Sequence, residues 1–128
     1  MKKIIQTNQA PAPVGPYNQA IQIGQTLYIS GQIAINPTTG HLVMDSIEAE
    51  TRQVMHNIGA ILKEAGTDFY HVLKCSVFVK DMHLYGRINA VYGEFFKDDN
   101  APARELVEVT NLPKFVNVEI STIAFVPV

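Results

Sequence analysis

The chain has 128 residues, of which 47% are hydrophobic and 17% are charged, and its formal net charge is −2. This length and composition suit one globular domain with a sizeable core, so we expect residues 1–128 to fold as a single unit. The sequence holds no run of Lys or Arg, which argues against a nucleic-acid partner and against binding to an anionic membrane surface.

The N-terminal residues MKKIIQTNQAP contain too few consecutive apolar residues for a secretory signal. No later run reaches the roughly 20 apolar residues that a membrane span needs. Cys75 is the only cysteine, which excludes an internal disulfide. We therefore expect a cytoplasmic protein with no membrane partner.

The segment AIQIGQTLYISGQIAI (20–35) alternates with a period of two, which is typical of strands with one buried face. A hairpin is predicted with its turn at Gly24-Gln25, and NPTTG (36–40) predicts a second turn. Odd-numbered apolar residues are expected to share one face: Ile21, Ile23, Leu27, Ile29, Ile33 and Ile35.

The period then changes to that of an amphipathic helix over DSIEAETRQVMHNIGAILKEAG (45–66). Asp45 and Glu48, three residues apart, predict a capping box, and Gly66 predicts the stop. The expected apolar stripe consists of Val54, Ile58, Ile61, Leu62 and Ala65.

A strand is predicted next over VLKCSVFVK (72–80), with Leu73, Cys75, Val77 and Val79 on one face. A second helix follows, with Asp81 as its cap and a stripe of Tyr85, Ile88, Tyr92 and Phe95. Two further strands lie within residues 101–125. The order β-hairpin, α, β, α, β, β predicts an α+β domain whose helices cover one sheet face.

The second face of this sheet is predicted to mix large apolar groups with polar ones: Tyr28, Ser30, Ser76, Phe78, Asn117, Glu119, Ser121, Ile123 and Phe125. A monomer would leave these apolar groups exposed side by side, because the helices cover only the first face. We expect the second face to pack against further copies of the chain in a homo-oligomer.

Few residues offer catalytic or metal-binding chemistry. The histidines His41, His56, His71 and His83 lack the spacing of metal ligands, so we expect no metal. No nucleotide-binding motif or nucleophile elbow occurs, so we expect no organic cofactor and no serine hydrolase. Cys75 alternates in phase with apolar residues, which indicates an inert core thiol.

Arg104 and Glu119 place a guanidinium and a carboxylate among the valines and isoleucines of the last two strands. Either both side chains face solvent, or both face a small charged ligand. The planar fork of an arginine matches a carboxylate, and an ionised glutamate can position or deprotonate a water. Together they would form a minimal hydrolytic site without a metal.

Six blocks carry a resemblance to a known family: APAPVGPYNQAI (10–21), ISGQIAINPTTG (29–40), KCSVFVKDM (74–82), INAVYGEFF (88–96), APAREL (101–106) and LPKFVNVEI (112–120). In these blocks the chain resembles the reactive intermediate deaminases, the RidA or YjgF-type proteins. The resemblance implies a chorismate-mutase-like α+β fold and a homotrimer. The sheets would pack around the threefold axis, with helices outside and clefts between neighbouring subunits.

The resemblance also implies an activity that needs no cofactor. Its substrates would be reactive enamines and imines, namely 2-aminoacrylate/2-iminopropanoate and 2-aminocrotonate/2-iminobutanoate, and its products 2-oxo acids and ammonia. The family's carboxylate-binding arginine falls on Arg104 and its water-directing glutamate on Glu119. These two are then expected on two sides of one small pocket.

Other family positions carry over to this chain as well. The pocket residues that the resemblance implies are Tyr17, Ser30 and Gly31. Asn89 matches a family asparagine and is counted with the substrate-binding positions, although we expect a structural role more than contact with the substrate.

The chain departs from the family pattern at three positions. Leu106 stands where many relatives have a pocket cysteine, Glu105 replaces a serine, and Phe115 replaces an aspartate. Leu106 makes the expected pocket wall more apolar and bulkier, which leaves the substrate preference open. A sensor that binds a 2-oxo acid without turnover stays an alternative. An RNA-cleaving translation inhibitor is disfavoured by the acidic net charge.

Overall fold

The computed structural model describes residues 1–128, apart from the side chain of Asp98. Within these residues, two α-helices accompany six strands: β1 (Lys3–Ile5), β2 (Ala20–Ile23), β3 (Thr26–Gln32), α1 (Ile47–Glu64), β4 (Val72–Val79), α2 (Tyr85–Tyr92), β5 (Ala103–Glu108) and β6 (Val118–Phe125). The strands form one mixed sheet in the order β1-β2-β3-β6-β4-β5, in which only β4 and β5 pair in parallel. The predicted α+β class and element order are confirmed, and β1 is an additional strand.

The first hairpin corrects the predicted face of the early isoleucines. Ile21 pairs with Tyr28, and Ala20 pairs with Ile29. Because residues opposite each other in an antiparallel pair share a face, odd positions on β2 meet even positions on β3. Ala20 and Ile29 are buried in the core, whereas Ile23 is 52% exposed on the opposite face.

A β-bulge corrects the predicted face of Ile33 and Ile35. The register of β3 against β6 shifts between Ile29 and Gln32. One extra residue reverses the alternation, so the even-numbered Gln32 and Ala34 are buried beyond it. Ile33 and Ile35 point the opposite way from Gln32 and Ala34 and line a cavity.

A second bulge lies in β4, between Val72 and Lys74. It turns Val72 into the core and leaves Leu73 48% exposed, so the predicted burial of Leu73 is wrong. The other members of the predicted stripe are buried as expected: Cys75, Val77 and Val79.

The cap of α1 is Ser46 and not Asp45. The Ser46 hydroxyl accepts a hydrogen bond from the Ala49 N–H at 3.0 Å, which is the usual contact of an N-cap side chain. The helix ends at Glu64, and Gly66 has the positive φ of 85° that a helix stop favours. The predicted apolar stripe packs into the core, with Ala65 partly buried at its end: Val54, Ile58, Ile61 and Leu62.

The stripe of the second helix is confirmed in part. Ile88 and Tyr92 are buried and Phe95 packs against the core, whereas Tyr85 is 40% exposed. Asp81 is a cap as predicted, but it caps a 3₁₀ turn that precedes α2. Neither helix of the described chain combines the length and the apolar character needed to cross a membrane.

The helices lie on one face of the sheet and leave the other uncovered. Burial alternates along β6, where Val118 and Ile120 are buried and Glu119 is only half-buried. Tyr28, on the same uncovered face, is 49% exposed. The second face therefore exists as predicted, while its role as a trimer interface stays a prediction.

Two surface ion pairs join α1 to α2 and to the 3₁₀ turn that follows α2. Arg87 donates two hydrogen bonds, of 2.7 and 2.8 Å, to the Glu48 carboxylate. Arg52 contacts the Glu94 carboxylate at 2.9 Å. The hydrogen bond from Arg87 lowers the pKa of Glu48 from 4.5 to about 2. Because this pKa is lower in the folded chain, the pair stabilises the fold above about pH 4.5 and loses that effect as the pH falls toward 2.

We expect Arg87→Met to lower the melting temperature modestly at neutral pH, and the deficit to shrink as the wild type is acidified below about pH 4.5. Glu48→Gln removes the same pair from the other side and should show the same pH dependence. Thermal unfolding followed by circular dichroism measures both. A deficit that stays constant down to about pH 3 would contradict the assignment.

Candidate functional site

A cavity of about 410 Å³ lies between the loop at residues 11–17, the end of β3 and the start of β6. Apolar groups dominate its wall, including Val14, Ile33 and Ile35. Four of the predicted site residues line it together: Tyr17, Ser30, Gly31 and Glu119. The structure thus brings one part of the predicted site into a single cavity.

The loop that walls this cavity is fixed by Gln19, whose buried side chain was not predicted to matter. Its amide nitrogen donates to the carbonyls of Thr7, Ala10 and Pro11 at 3.0, 3.2 and 2.8 Å. Its amide oxygen accepts from the Thr7 N–H at 2.7 Å. These contacts hold the segment that presents Tyr17, which is 46% exposed at the cavity.

The Glu119 carboxylate lies directly against the backbone of Gly31. A Cβ built on Gly31 would stand 2.6 Å from Oε2 of Glu119, closer than non-bonded atoms approach. Only glycine leaves room for the carboxylate in this position. Next to it, the Ser30 hydroxyl donates to the carbonyl of Asn18 at 2.7 Å.

Burial raises the pKa of Glu119 above its ordinary value, because the cavity wall removes water from the carboxylate. Lys114 lines the same cavity. Lys114 and Phe115 have φ values of 54° and 57°, a left-handed conformation that is strained for residues other than glycine. A strained turn therefore leads into the strand that carries Glu119.

A second carboxylate, Glu50 of α1, holds the start of β6. It is fully buried and accepts hydrogen bonds from the Asn117 N–H, the Asn117 side-chain amide and the Val118 N–H, at 2.8, 2.8 and 3.3 Å. These bonds fix the two residues immediately before Glu119. Glu50 was not predicted as functional, although it stands four residues before Val54 on the apolar stripe of α1.

Arg104 lies elsewhere, on β5 against α2. Its Nη1 donates to Oδ1 of Asn89 at 2.7 Å, and its Nη2 donates to the Tyr85 hydroxyl at 3.0 Å. The guanidinium carbon stands 4.9 Å from the centre of the Tyr92 ring. Arg104 and Asn89 line a second cavity of about 320 Å³.

The departures from the family pattern occupy different environments. Leu106 packs against the core on the same face as Arg104. Glu105 points the other way and contacts Lys74 at 2.9 Å and Ser76 at 3.2 Å. Phe115 is 70% exposed in the strained turn.

Within one chain, Arg104 and Glu119 do not meet. Arg104 pairs with Cys75, which faces the helices, whereas Glu119 pairs with Phe78 on the uncovered face. Neighbouring residues in a sheet share a face, so the two charged groups lie on opposite faces. The predicted single pocket is not formed by one chain and stays a prediction.

Residues 7–126 match the family model described as Endoribonuclease L-PSP. The chain belongs to this family.

Named relatives agree over nearly the whole length. A RutC family protein from Synechocystis is 50% identical over 126 residues, which are 98% of this chain and 97% of the relative. The mouse 2-iminobutanoate/2-iminopropanoate deaminase is 43% identical over 124 residues, 97% of this chain and 91% of the relative. The crystal structure of Escherichia coli TdcF with bound serine superimposes with a TM-score of 0.92 at 37% identity, covering 98% of this chain and 99% of that one. The resemblance carried by the six sequence blocks is confirmed.

Neither Cys75 nor any histidine lines the cavity at Glu119 or the cavity at Arg104. Cys75 is buried, with its sulfur 3.8 Å from the Thr122 hydroxyl, and burial raises the pKa of its thiol. This agrees with the predicted core thiol. Among the described residues, no three His, Cys, Asp or Glu side chains are grouped to hold a metal ion. The expected absence of metal and cofactor stays a prediction.

We expect Gly31→Ala to displace the Glu119 carboxylate toward solvent while the fold persists, because the group in the way is the end of a flexible side chain. The pKa of Glu119 should then fall toward its ordinary value as burial is lost. Carbon-13 NMR titration of the Glu119 carboxyl measures this shift. Gly86→Ala is the matched control, because a Cβ at Gly86 meets no atom within 4 Å. An unchanged Glu119 titration in Gly31→Ala would contradict the contact.

Proposed function

We propose that the protein is a hydrolytic deaminase of reactive 2-imino acids. Its substrates would be 2-iminopropanoate and 2-iminobutanoate with their enamine tautomers, and its products 2-oxo acids and ammonia. The observation that carries the proposal is the half-buried Glu119 carboxylate against Gly31 in an otherwise largely apolar cavity. The named activity of the mouse relative and the serine bound to TdcF support a small ligand with a carboxylate and a nitrogen on C2.

We propose further that the complete site forms between two subunits of a homotrimer. Arg104 and Glu119 lie on opposite sheet faces of one chain, so a second chain must bring the missing half to each. The uncovered face, with Tyr28 and Phe78 among its residues, provides apolar surface for such packing. In a chorismate-mutase-like trimer, the sheets pack around a threefold axis with the helices outside. This arrangement would bury the uncovered face and would bring Arg104 of one chain near Glu119 of another.

In this site Arg104 would bind the substrate carboxylate and fix the position of C2. The guanidinium keeps donors free beyond those used by Asn89 and Tyr85, so a two-pronged contact to the carboxylate remains available. Leu106, on the same face as Arg104, would provide the neighbouring apolar wall. Tyr17 and Ser30 would line the opposite side of the cleft.

Glu119 would act on water. Its carboxylate would take a proton from a water as the water oxygen attacks C2 and the C=N electron pair moves to nitrogen. The protonated Glu119 would then return this proton to the nitrogen, which gives a carbinolamine. Glu119 would next transfer the hydroxyl proton to the amine nitrogen, and ammonia would leave as the C2–O bond becomes a carbonyl. The raised pKa makes the Glu119 carboxylate a stronger base than an exposed glutamate. Positioning supplies much of the acceleration, because an imine is already reactive toward water.

Cleavage of RNA, which the family description Endoribonuclease names, finds less support in this chain. A phosphodiester would bring negative charge against the desolvated Glu119 carboxylate. The chain carries 10 Lys and Arg against 12 Asp and Glu, with no basic run that could follow a nucleic-acid backbone. We therefore propose a small imino acid, and not RNA, as the substrate.

We expect Glu119→Gln to lower kcat about 100-fold or more while the affinity for 2-oxobutyrate stays nearly unchanged, because only the base is lost. Wild-type turnover should fall on the acid side with a midpoint above the pKa of an ordinary glutamate, because burial raises the pKa of Glu119. Ammonia release from freshly generated 2-aminocrotonate, corrected for spontaneous hydrolysis, measures both. Wild-type turnover by Glu119→Gln would refute the mechanism. Binding of 2-oxobutyrate without any turnover by the wild type would favour the sensor.

We expect activity to reappear when Arg104→Gln and Glu119→Gln are unfolded together and refolded as mixed trimers. If each site takes Arg104 from one subunit and Glu119 from its neighbour, random mixing should restore about a quarter of the sites. Each variant refolded alone is the control. No recovery in mixtures whose mixed composition is verified by mass spectrometry would refute a site shared between Arg104 of one subunit and Glu119 of its neighbour.

A further inference from the structure

Three side chains of α2 hold the guanidinium of Arg104. Asn89 accepts from Nη1 at 2.7 Å, and the Tyr85 hydroxyl accepts from Nη2 at 3.0 Å. The Tyr92 ring lies under the guanidinium carbon, 4.9 Å from ring centre to carbon. Both ends of the fork are thus bonded, and an aromatic ring supports the group from below.

This arrangement leaves the arginine able to bind a ligand. A guanidinium has five N–H donors, and these two hydrogen bonds use one on each terminal nitrogen. The donors that remain include one on each terminal nitrogen and the one on Nε. The contacts with α2 therefore restrict the orientation of the group while leaving it a pair of donors for a planar carboxylate.

Tyr92 is suited to act as a platform. Its side chain is buried, only 6% of the residue is exposed, and its ring packs 4.8 Å from that of Phe96. Burial raises the pKa of the Tyr92 hydroxyl well above its usual range, so the ring stays neutral beneath the cation. The Tyr92 hydroxyl makes no hydrogen bond to Arg104, and thus only the ring face contributes to holding the guanidinium.

We propose that Tyr85 and Tyr92 are positioning residues that act through Arg104. The Tyr92 ring sets the plane of the guanidinium, and the Tyr85 hydroxyl together with Asn89 sets its rotation within that plane. Helix α2 thereby determines how tightly the site binds a carboxylate and where it holds C2. The identity of the ligand rests on the proposed function, whereas the contacts around Arg104 do not.

The variants separate this role from simple packing. Tyr85→Phe removes one hydroxyl from a 40% exposed residue and should raise KM about 3- to 10-fold with little change in kcat. Tyr92→Leu removes the ring face and should raise KM about 10-fold or more. Tyr92→Phe keeps the ring face, so it should raise KM much less than Tyr92→Leu does. Tyr70→Phe, at a 67% exposed residue away from both cavities, is the matched control for Tyr85.

A double-mutant cycle tests whether Tyr85 acts through Arg104. Arg104→Lys lacks the fork that Tyr85 and Asn89 hold, so adding Tyr85→Phe to it should change KM and the Kd of 2-oxobutyrate no further. Calorimetric titration and the ammonia assay supply both constants. Additive effects would show that Tyr85 acts independently, and equal damage from Tyr92→Phe and Tyr92→Leu would remove the platform role. Either result would overturn the proposal.

A measurement without ligand keeps this inference distinct from the proposed function. Nitrogen-15 NMR of the Arg104 side chain should show a restrained Nε–H in the wild type and in Tyr92→Phe. Tyr85→Phe should show greater mobility, and so should Tyr92→Leu if melting curves show that it folds. If the wild type neither binds 2-oxobutyrate nor turns over 2-aminocrotonate, the proposed function fails and this measurement alone decides the inference. Equal mobility in wild type and Tyr85→Phe would overturn it.

Discussion

The pairing of β4 with β5 on one side and β6 on the other determines where every charged group of the candidate site can lie. Arg104 stands beside Cys75 and so faces the helices, while Glu119 stands beside Phe78 and faces away from them. No rotamer change moves a side chain through a sheet. The register alone therefore makes one chain insufficient to bring the two groups together, and the second sheet face becomes part of the functional question.

Each half of the site is supported by a different helix on the covered face. Helix α1 supplies the buried Glu50, which holds the backbone of Asn117 and Val118 just before Glu119. Helix α2 supplies the side chains around Arg104. Glu50 accepts three hydrogen bonds, and its removal would destabilise the fold because it would leave those buried donors unpaired. At the surface, one ion pair joins α1 to α2, and a second joins α1 to the 3₁₀ turn after α2.

Periodicity predicted the α+β class, the order of the elements and most of the core, because one-sided burial leaves a direct trace in a single sequence. It misplaced Leu73, Ile33 and Ile35, since a β-bulge adds one residue and an alternating pattern carries no sign of it. Arg104 and Glu119 stood out by residue type, and the family resemblance gave them roles. The contacts of Glu50 were not predictable, because its partners lie 67 and 68 residues away in the sequence.

The departures from local rules collect around Glu119. A bulge in β3 lies next to Gly31, and the Glu119 carboxylate leaves no room for a Cβ at this glycine. Before β6, Lys114 and Phe115 take a left-handed conformation. The carboxylate itself is half withdrawn from water, which opposes its ionisation. Local strain persists only where the surrounding structure over-determines it. Arg104, by contrast, lies in an ordinary strand-and-helix contact that uses two of its five donors. The strained backbone thus lies next to Glu119 and not next to Arg104. This is expected if the reactive step depends on the Glu119 carboxylate and the binding step depends on Arg104.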